Sequence, residues 1–464
     1  MHAQTLTLAA AVLLTTPVYA QEQQAAVDRD AIVAEHLTPL IDAYLIPGAM
    51  VALYHDDKLT FHPIGTLSYD TERAPDTRTI YEIGSIGKVI TGVFFADAIR
   101  RGEVTKHTKL QELVPEGTEV IKGSDGTEIE LWNLTTHSSG WGTVPVNIAP
   151  TDPDRPFHGY TEEMLFKATQ IMPLNRNPGE GFEYSNFAVG TLGTVLARNA
   201  GGDYESLVQQ RIFKPLGIVD FSIELNDEQR SRLAPPTSGG LTVKPWGETN
   251  ALAPAGLWST TAPQLITFAM ENLREVNEDS LEIYESLTNA RETMFDSGFG
   301  RVGFGWMLAM DGSSYWHNGQ TGGYSSYMAI NREYDAAVVV LTNGATMYTT
   351  VAGEKIFQSM LGLNPEPAKP TIPEALDEVY IERLLGTYKS QWGFDITITS
   401  ANSFIYARVT NQNAYRVDKV GEDRFGYGAV DAELGFELPE GDGPATSVTL
   451  FQNGMEMKCV RVEE

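Results

Sequence analysis

Three short stretches hold residues whose types and spacing suit acyl transfer. In "YEIGSIGKVITGVFF" (81–95), Lys88 follows Ser85 by three residues, where a glycine-flanked loop gives way to an apolar helical pattern. A serine at a helix start with a lysine one turn later brings an amine beside a hydroxyl. An ammonium that must be desolvated there is pushed toward its neutral form, able to take the serine proton and create a nucleophile. Alone, the pair reads equally as an N-cap serine with a snorkelling lysine.

The second stretch is "NPGEGFEYSNFAVGTLGTVLA" (177–197), where Tyr184-Ser185-Asn186 lies between a glycine-rich loop and a small-residue helix. That placement offers a phenol and an amide at a loop tip facing a cleft. A phenol becomes a usable base only if a cation stabilises its anion, and Lys88 is the candidate cation. The plain alternative is a loop tyrosine followed by a helix-capping asparagine. In the third, "YWHNGQTGGYSSYMAIN" (315–331), His317-Asn318-Gly319 opens onto Gln320 and Gly322-Gly323 before an alternating strand. Glycines there let the backbone approach a ligand closely, and the amides of Gln320 and Ser85 could form a two-donor oxyanion hole. A histidine satisfied within a strand is the other reading of His317.

Other hydrolase chemistries fit less well. There is no His-Glu-x-x-His and no second histidine at metal-ligand spacing, so zinc hydrolysis has no support and no cofactor is expected. A nucleophile elbow needs Gly-x-Ser-x-Gly, and Ile83 stands where its first glycine should be.

These residues need a scaffold, and its outline is legible. A helical pattern covers residues 30–45, a hairpin 48–65 turns at Asp56-Asp57, strands run through 313–342, and a helix closes the segment at about 350–361. Strands at both ends with mostly helices between predict an α+β fold: an antiparallel sheet flanked by helices, with a helical insertion. Pro365, Pro367, Pro370 and Pro373 then mark a linker, and short β runs such as "FDITITS" and "SVTLFQ" predict a small all-β barrel or sandwich. The expected division is a signal peptide over 1–20, a hydrolase domain over 27–362, a linker over 363–378 and a β-domain over 379–464.

The chain has 464 residues, 42% hydrophobic and 20% charged, enough for two or three domains with a sizeable core. With 33 Lys plus Arg against 61 Asp plus Glu, its formal charge of −28 opposes nucleic acid or anionic membrane as partner. Leu6 to Leu14, Pro17 and Val18-Tyr19-Ala20 fit a secretory signal cleaved after Ala20, giving a periplasmic or secreted protein without stable membrane insertion. The single cysteine, Cys459, excludes an internal disulfide, so the exported fold rests on its core. The partner expected is a small-molecule or peptide substrate; oligomeric state is not readable.

Ser-x-x-Lys, Tyr-x-Asn and a His-x-Gly triplet, in that order, resemble the serine β-lactamase and penicillin-binding-protein superfamily, specifically its class C-like branch with esterase and D-aminopeptidase relatives. "LWNLTTHSSGW" (131–141) and "ALAPAGLWSTTAPQLITFA" (251–269) also resemble stretches of these enzymes, and the C-terminal piece is similar to their lipocalin-like domains. The resemblance implies that Ser85 forms an acyl-enzyme, that Lys88 and Tyr184 share the proton traffic, and that Asn186 holds Lys88 and the substrate amide. His317 stands where these enzymes usually carry lysine, and a histidine is mostly neutral at pH 7. Esters and neutral amides therefore gain weight over carboxylate-bearing β-lactams and D-Ala-D-Ala ends. The implied function is an acyl-serine hydrolase of esterase, peptidase or weak β-lactamase type. The alternatives are a D-amino-acid-specific peptidase or D,D-carboxypeptidase, and a non-catalytic peptidoglycan or peptide binder that keeps the cleft.

Overall fold

The computed structural model describes residues 28–462 apart from 151, 153, 278–280, 299, 310, 311 and 429. The expected signal peptide lies outside the described residues. Among the described residues, no helix is long and apolar enough to cross a membrane.

Strands β1 (Gly48–His55), β2 (Lys58–Gly65), β3 (Phe295–Asp296), β4 (Arg301–Val302), β5 (Met307–Leu308), β6 (Ser314–Gln320), β7 (Ser325–Asn331) and β8 (Ala336–Thr342) form one sheet. Its order is β2-β1-β8-β7-β6-β5-β4-β3, antiparallel throughout as expected, and β1 from the start of the domain pairs with β8 from its end. The first hairpin turns at Asp56-Asp57, both left-handed (φ 53° and 56°), with His55 opposite Lys58. Two central residues at positive φ match the twist of the flanking strands.

Alternation explains why the central strands read as unbroken apolar runs. Met50 and Ala52 of β1, with Ala337, Val339 and Leu341 of β8, enter one core cluster. Ala49, Val51 and Leu53, with Ala336, Val338 and Val340, enter another on the opposite face. That second face is covered by helices α1 (Arg29–Asp42) and, near the end of the sheet domain, Tyr348–Met360. Asp28 caps α1 by accepting from the Ala31 amide (3.1 Å).

The helical insertion between β2 and β3 supplies α2 (Gly87–Arg100), α3 (Asn186–Asn199) and α4 (Ala262–Glu271). Every residue of α2 from Gly87 to Ala98 is buried, so it is a core helix without a wet face.

Residues 363–377 carry neither helix nor strand. Beyond them, eight strands from Gly386–Ser390 to Met455–Arg461 form a closed barrel, its first and last strands pairing at Tyr388 and Arg461. Ile381 and Leu384, from a short helix over Glu378–Leu384, join Tyr388, Phe425 and Leu434 in the barrel core. The barrel touches the first domain through an edge-on Tyr44–Phe404 pair (4.9 Å) and an Asn402 amide donating to the Gly240 carbonyl (3.2 Å).

Candidate active site

Ser85 sits in a tight 3-10 turn, Gly84–Ile86, immediately before α2 begins at Gly87. Glycines let this turn lie against the end of β6. A Cβ on Gly84, which is left-handed (φ 51°), would stand 2.5 Å from the Gln320 nitrogen. A Cβ on Gly319 would stand 1.9 Å from the Ile83 carbonyl oxygen. The Ser326 hydroxyl donates to that carbonyl (2.7 Å), fixing the contact. The Ser85 and Gln320 backbones thus border one pocket, which Asn186 also lines.

Lys88, in the first turn of α2, is fully buried. Its Nζ donates to Ser85 Oγ (2.9 Å) and to the Ala255 carbonyl (2.6 Å). Desolvation holds the Lys88 amine well below its usual range, which favours the neutral base. The Ala255 carbonyl is aimed by neighbours: Thr91, one turn along α2, donates to Pro254 O (2.7 Å). On the other side Gly193 of α3 leaves room for Pro254, where a Cβ would come within 2.3 Å. The small residues of α3 therefore serve close approach of the 253–255 turn.

Tyr184 ends the loop before α3, with Ser185 as N-cap accepting from the Ala188 amide (3.0 Å). Its ring centroid lies 4.8 Å from Lys88 Nζ, and Ser85 lies close enough to its hydroxyl to influence its ionisation. Loss of solvent raises the phenol, with the Ser85 bond opposing. The expectation that a Lys88 cation would lower the phenol does not hold, because burial works against charge on both groups.

His317, on β6, is 1% exposed. Its Nδ1 donates to the Asn318 carbonyl, and its ring lies 6.4 Å from that of Tyr184. Burial first, and Lys88 second, lower it to about 3, so the ring is neutral at pH 7. The resemblance implied that Asn186 holds Lys88; the bonds from Lys88 go instead to Ser85 and Ala255, and Asn186 lines the pocket.

Two residues escaped sequence reasoning. Ala255 acts through its carbonyl, which no side-chain pattern reveals. His137 lies inside the quoted "LWNLTTHSSGW", yet as a lone histidine it had no spacing to mark it. Its ring packs 4.4 Å from that of Tyr184, and its Nδ1 accepts from the Ser185 amide (3.1 Å). Burial, then the nearby Lys88 and His317, hold it well below the ordinary histidine range.

A Beta-lactamase family model matches residues 33–358. A beta-lactamase of Escherichia coli (strain K12) is 23% identical over 354 residues, covering 67% of this chain and 88% of its own. Penicillin-binding protein 4 of Amycolatopsis lactamdurans is 24% identical over 384 residues, 77% of this chain and 97% of its own. Among solved structures, a beta-lactamase/D-alanine carboxypeptidase from Yersinia pestis complexed with citrate superposes with a TM-score of 0.62 at 20% identity, over 72% of this chain and 98% of that one. With the matched region spanning both ends of the sheet and everything that holds Ser85, the chain belongs to the Beta-lactamase family, within the serine β-lactamase and penicillin-binding-protein superfamily.

Proposed function

We propose that this protein is a hydrolase that acylates Ser85 and acts on esters or amides lacking a carboxylate beside the scissile bond. The observation that carries this reading is the 2.9 Å bond between Ser85 Oγ and a fully buried Lys88. Ser85 Oγ attacks the substrate carbonyl carbon as its proton passes to Lys88 Nζ. Charge gathers on the carbonyl oxygen, for which the Ser85 and Gln320 amides are the candidate donors. Tyr184 relays the proton to the departing alcohol or amine, whose bond to the carbonyl breaks. Water then attacks the acyl-enzyme, giving up a proton to Tyr184 and Lys88, and the acid leaves while Ser85 regains its hydrogen.

The substrate class follows from His317. A buried neutral ring offers no permanent cation to a carboxylate, whereas an ammonium there would pair with one. A D-amino-acid-specific peptidase or D,D-carboxypeptidase is the second reading, favoured by the likeness to the beta-lactamase/D-alanine carboxypeptidase from Yersinia pestis. Export by the segment at 1–20 and the division at residues 363–378 belong to the same proposal.

The test is labelling with a fluorophosphonate, followed by turnover of p-nitrophenyl esters, D-amino-acid amides, D-Ala-D-Ala peptides and nitrocefin. Label on Ser85, lost in Ser85→Ala, with esters turned over best, is the expected result. Absence of label on folded protein would leave a binding cleft as the reading.

A further inference from the structure

The pocket around Ser85 has walls that the acylation chemistry does not explain. Among the described residues lining it none carries a charged side chain, and Phe157 and Trp246 are the aromatic ones. Their rings meet edge to face, centroids 5.4 Å apart at 83°. The indole lies on Gly322, where a Cβ would come within 2.5 Å of Trp246 Nε1. The glycine after the third motif therefore makes room for this wall.

The segment that carries Trp246, residues 243–249, has neither helix nor strand, so individual side-chain bonds must set its place. Two carboxylates do so. Glu248 accepts from the Gly159 amide (3.0 Å) and pairs with His158, tying the Trp246 segment to the Phe157 segment. Glu82, three residues before Ser85 and 2% exposed, accepts from the Gly247 amide (2.6 Å). Burying a carboxyl group is unfavourable without partners. Here the partner is the backbone next to Trp246. The same short strand, Ile80–Glu82, leads directly into the Ser85 turn, so nucleophile and wall share one support.

Building on Ser85 as the nucleophile, we propose that Phe157 and Trp246 form an acyl-group wall selecting substrates whose acyl part carries a flat apolar group, with Glu82 as the positioning residue that sets Trp246 through Gly247. The acyl group is the part retained on Ser85 once the leaving group departs, so the pocket enclosing Ser85 is the one it must fill. Flat aromatic faces favour aromatic partners over a methyl group.

The test compares kcat/KM for p-nitrophenyl phenylacetate with that for p-nitrophenyl acetate, on the full chain. Trp246→Ala should lower the phenylacetate-to-acetate ratio roughly tenfold or more, chiefly through KM, the scale of a lost apolar contact. Phe157→Ala, at a half-buried site, should act in the same direction. Glu82→Ala should also lower the ratio, and Glu82→Gln, which keeps an oxygen for the Gly247 amide, should restore it. A ratio unmoved in both aromatic variants, each folded by circular dichroism and labelled at Ser85, overturns the wall alone. A ratio unmoved in Glu82→Ala, or lowered equally in Glu82→Gln, overturns the positioning role. An unlabelled Ser85 with neither ester hydrolysed overturns the nucleophile reading and this inference with it.

Discussion

At Lys88, burial favours the amine over the ammonium, which is what the proposed acylation asks of it. Tyr184, 4.8 Å away at its ring centroid, is the relay in the proposed mechanism. Tyr184→Phe should lower turnover by roughly 10²-fold with little change in KM, as lost proton transfer requires; unchanged turnover would make the ring a packing element. His317 gives a prediction of pH dependence. Its folded value of about 3 lies below the ordinary 6.5, so the unfolded chain binds the proton first as pH falls. Its contribution to stability is therefore complete above 6.5 and is lost as pH drops toward 3. Melting temperature should decline over that window, and less steeply in His317→Asn. Between pH 5.5 and 8 the ring stays neutral, so the kcat/KM ratio of a carboxylate-bearing to a neutral ester should stay flat. A ratio rising as pH falls through 6.5 would mean that His317 takes up a proton in the cleft.

The elements that bring these residues together differ in how far the sequence reveals them. The hairpin at Asp56-Asp57 was legible because its turn residues and flanking runs are local signals, and the pairing of both chain ends followed from strands flanking a helical stretch. The barrel was legible for the same reason, as eight short runs between turn clusters. The candidate site was legible to the level of Ser85, Lys88, Tyr184 and His317, which the fold brings together. What stayed hidden were contacts between segments distant in sequence: the Ala255 carbonyl on Lys88, His137 against Tyr184, and Glu82 on Gly247. The meeting of β6 with the Ser85 turn is the most demanding of these, since Gly319 touches the Ile83 carbonyl with no room for a methyl group. Gly319→Ala should therefore push the strand away from the turn, destabilising the protein by about 1–3 kcal/mol, the usual range for overpacking. Activity should fall further than stability because the Gln320 amide moves with the strand. A variant with wild-type melting and turnover would show that the turn yields without consequence for the site.

Across the whole molecule, the barrel reaches the catalytic domain where the pocket wall begins. Arg416 of the barrel donates to the Ala43 and Tyr44 carbonyls (3.3 and 3.4 Å), and its guanidinium lies over the Phe404 ring at 5.3 Å. Asn402 holds Gly240, at the tip of a small hairpin whose strands are Thr237–Ser238 and Leu241–Thr242. The base of that hairpin packs on the turn after the third motif: the Thr237 amide donates to the Gly323 carbonyl (3.1 Å), and a Cβ on Gly323 would meet Pro236 within 2.3 Å. Four residues beyond the hairpin stands Trp246. The hairpin that the barrel holds thus packs on the Gly322-Gly323 turn and leads in sequence to the pocket wall. The double variant Asn402→Ala/Arg416→Ala should raise KM for p-nitrophenyl phenylacetate roughly threefold to tenfold, with kcat nearly unchanged, as expected when binding is loosened and chemistry is not. Cleavage by a protease should be fastest within 363–377 and faster in the double variant, because the segment has neither helix nor strand to protect it. If KM holds while melting temperature and protease resistance fall, the barrel supports the fold and leaves the cleft to the catalytic domain.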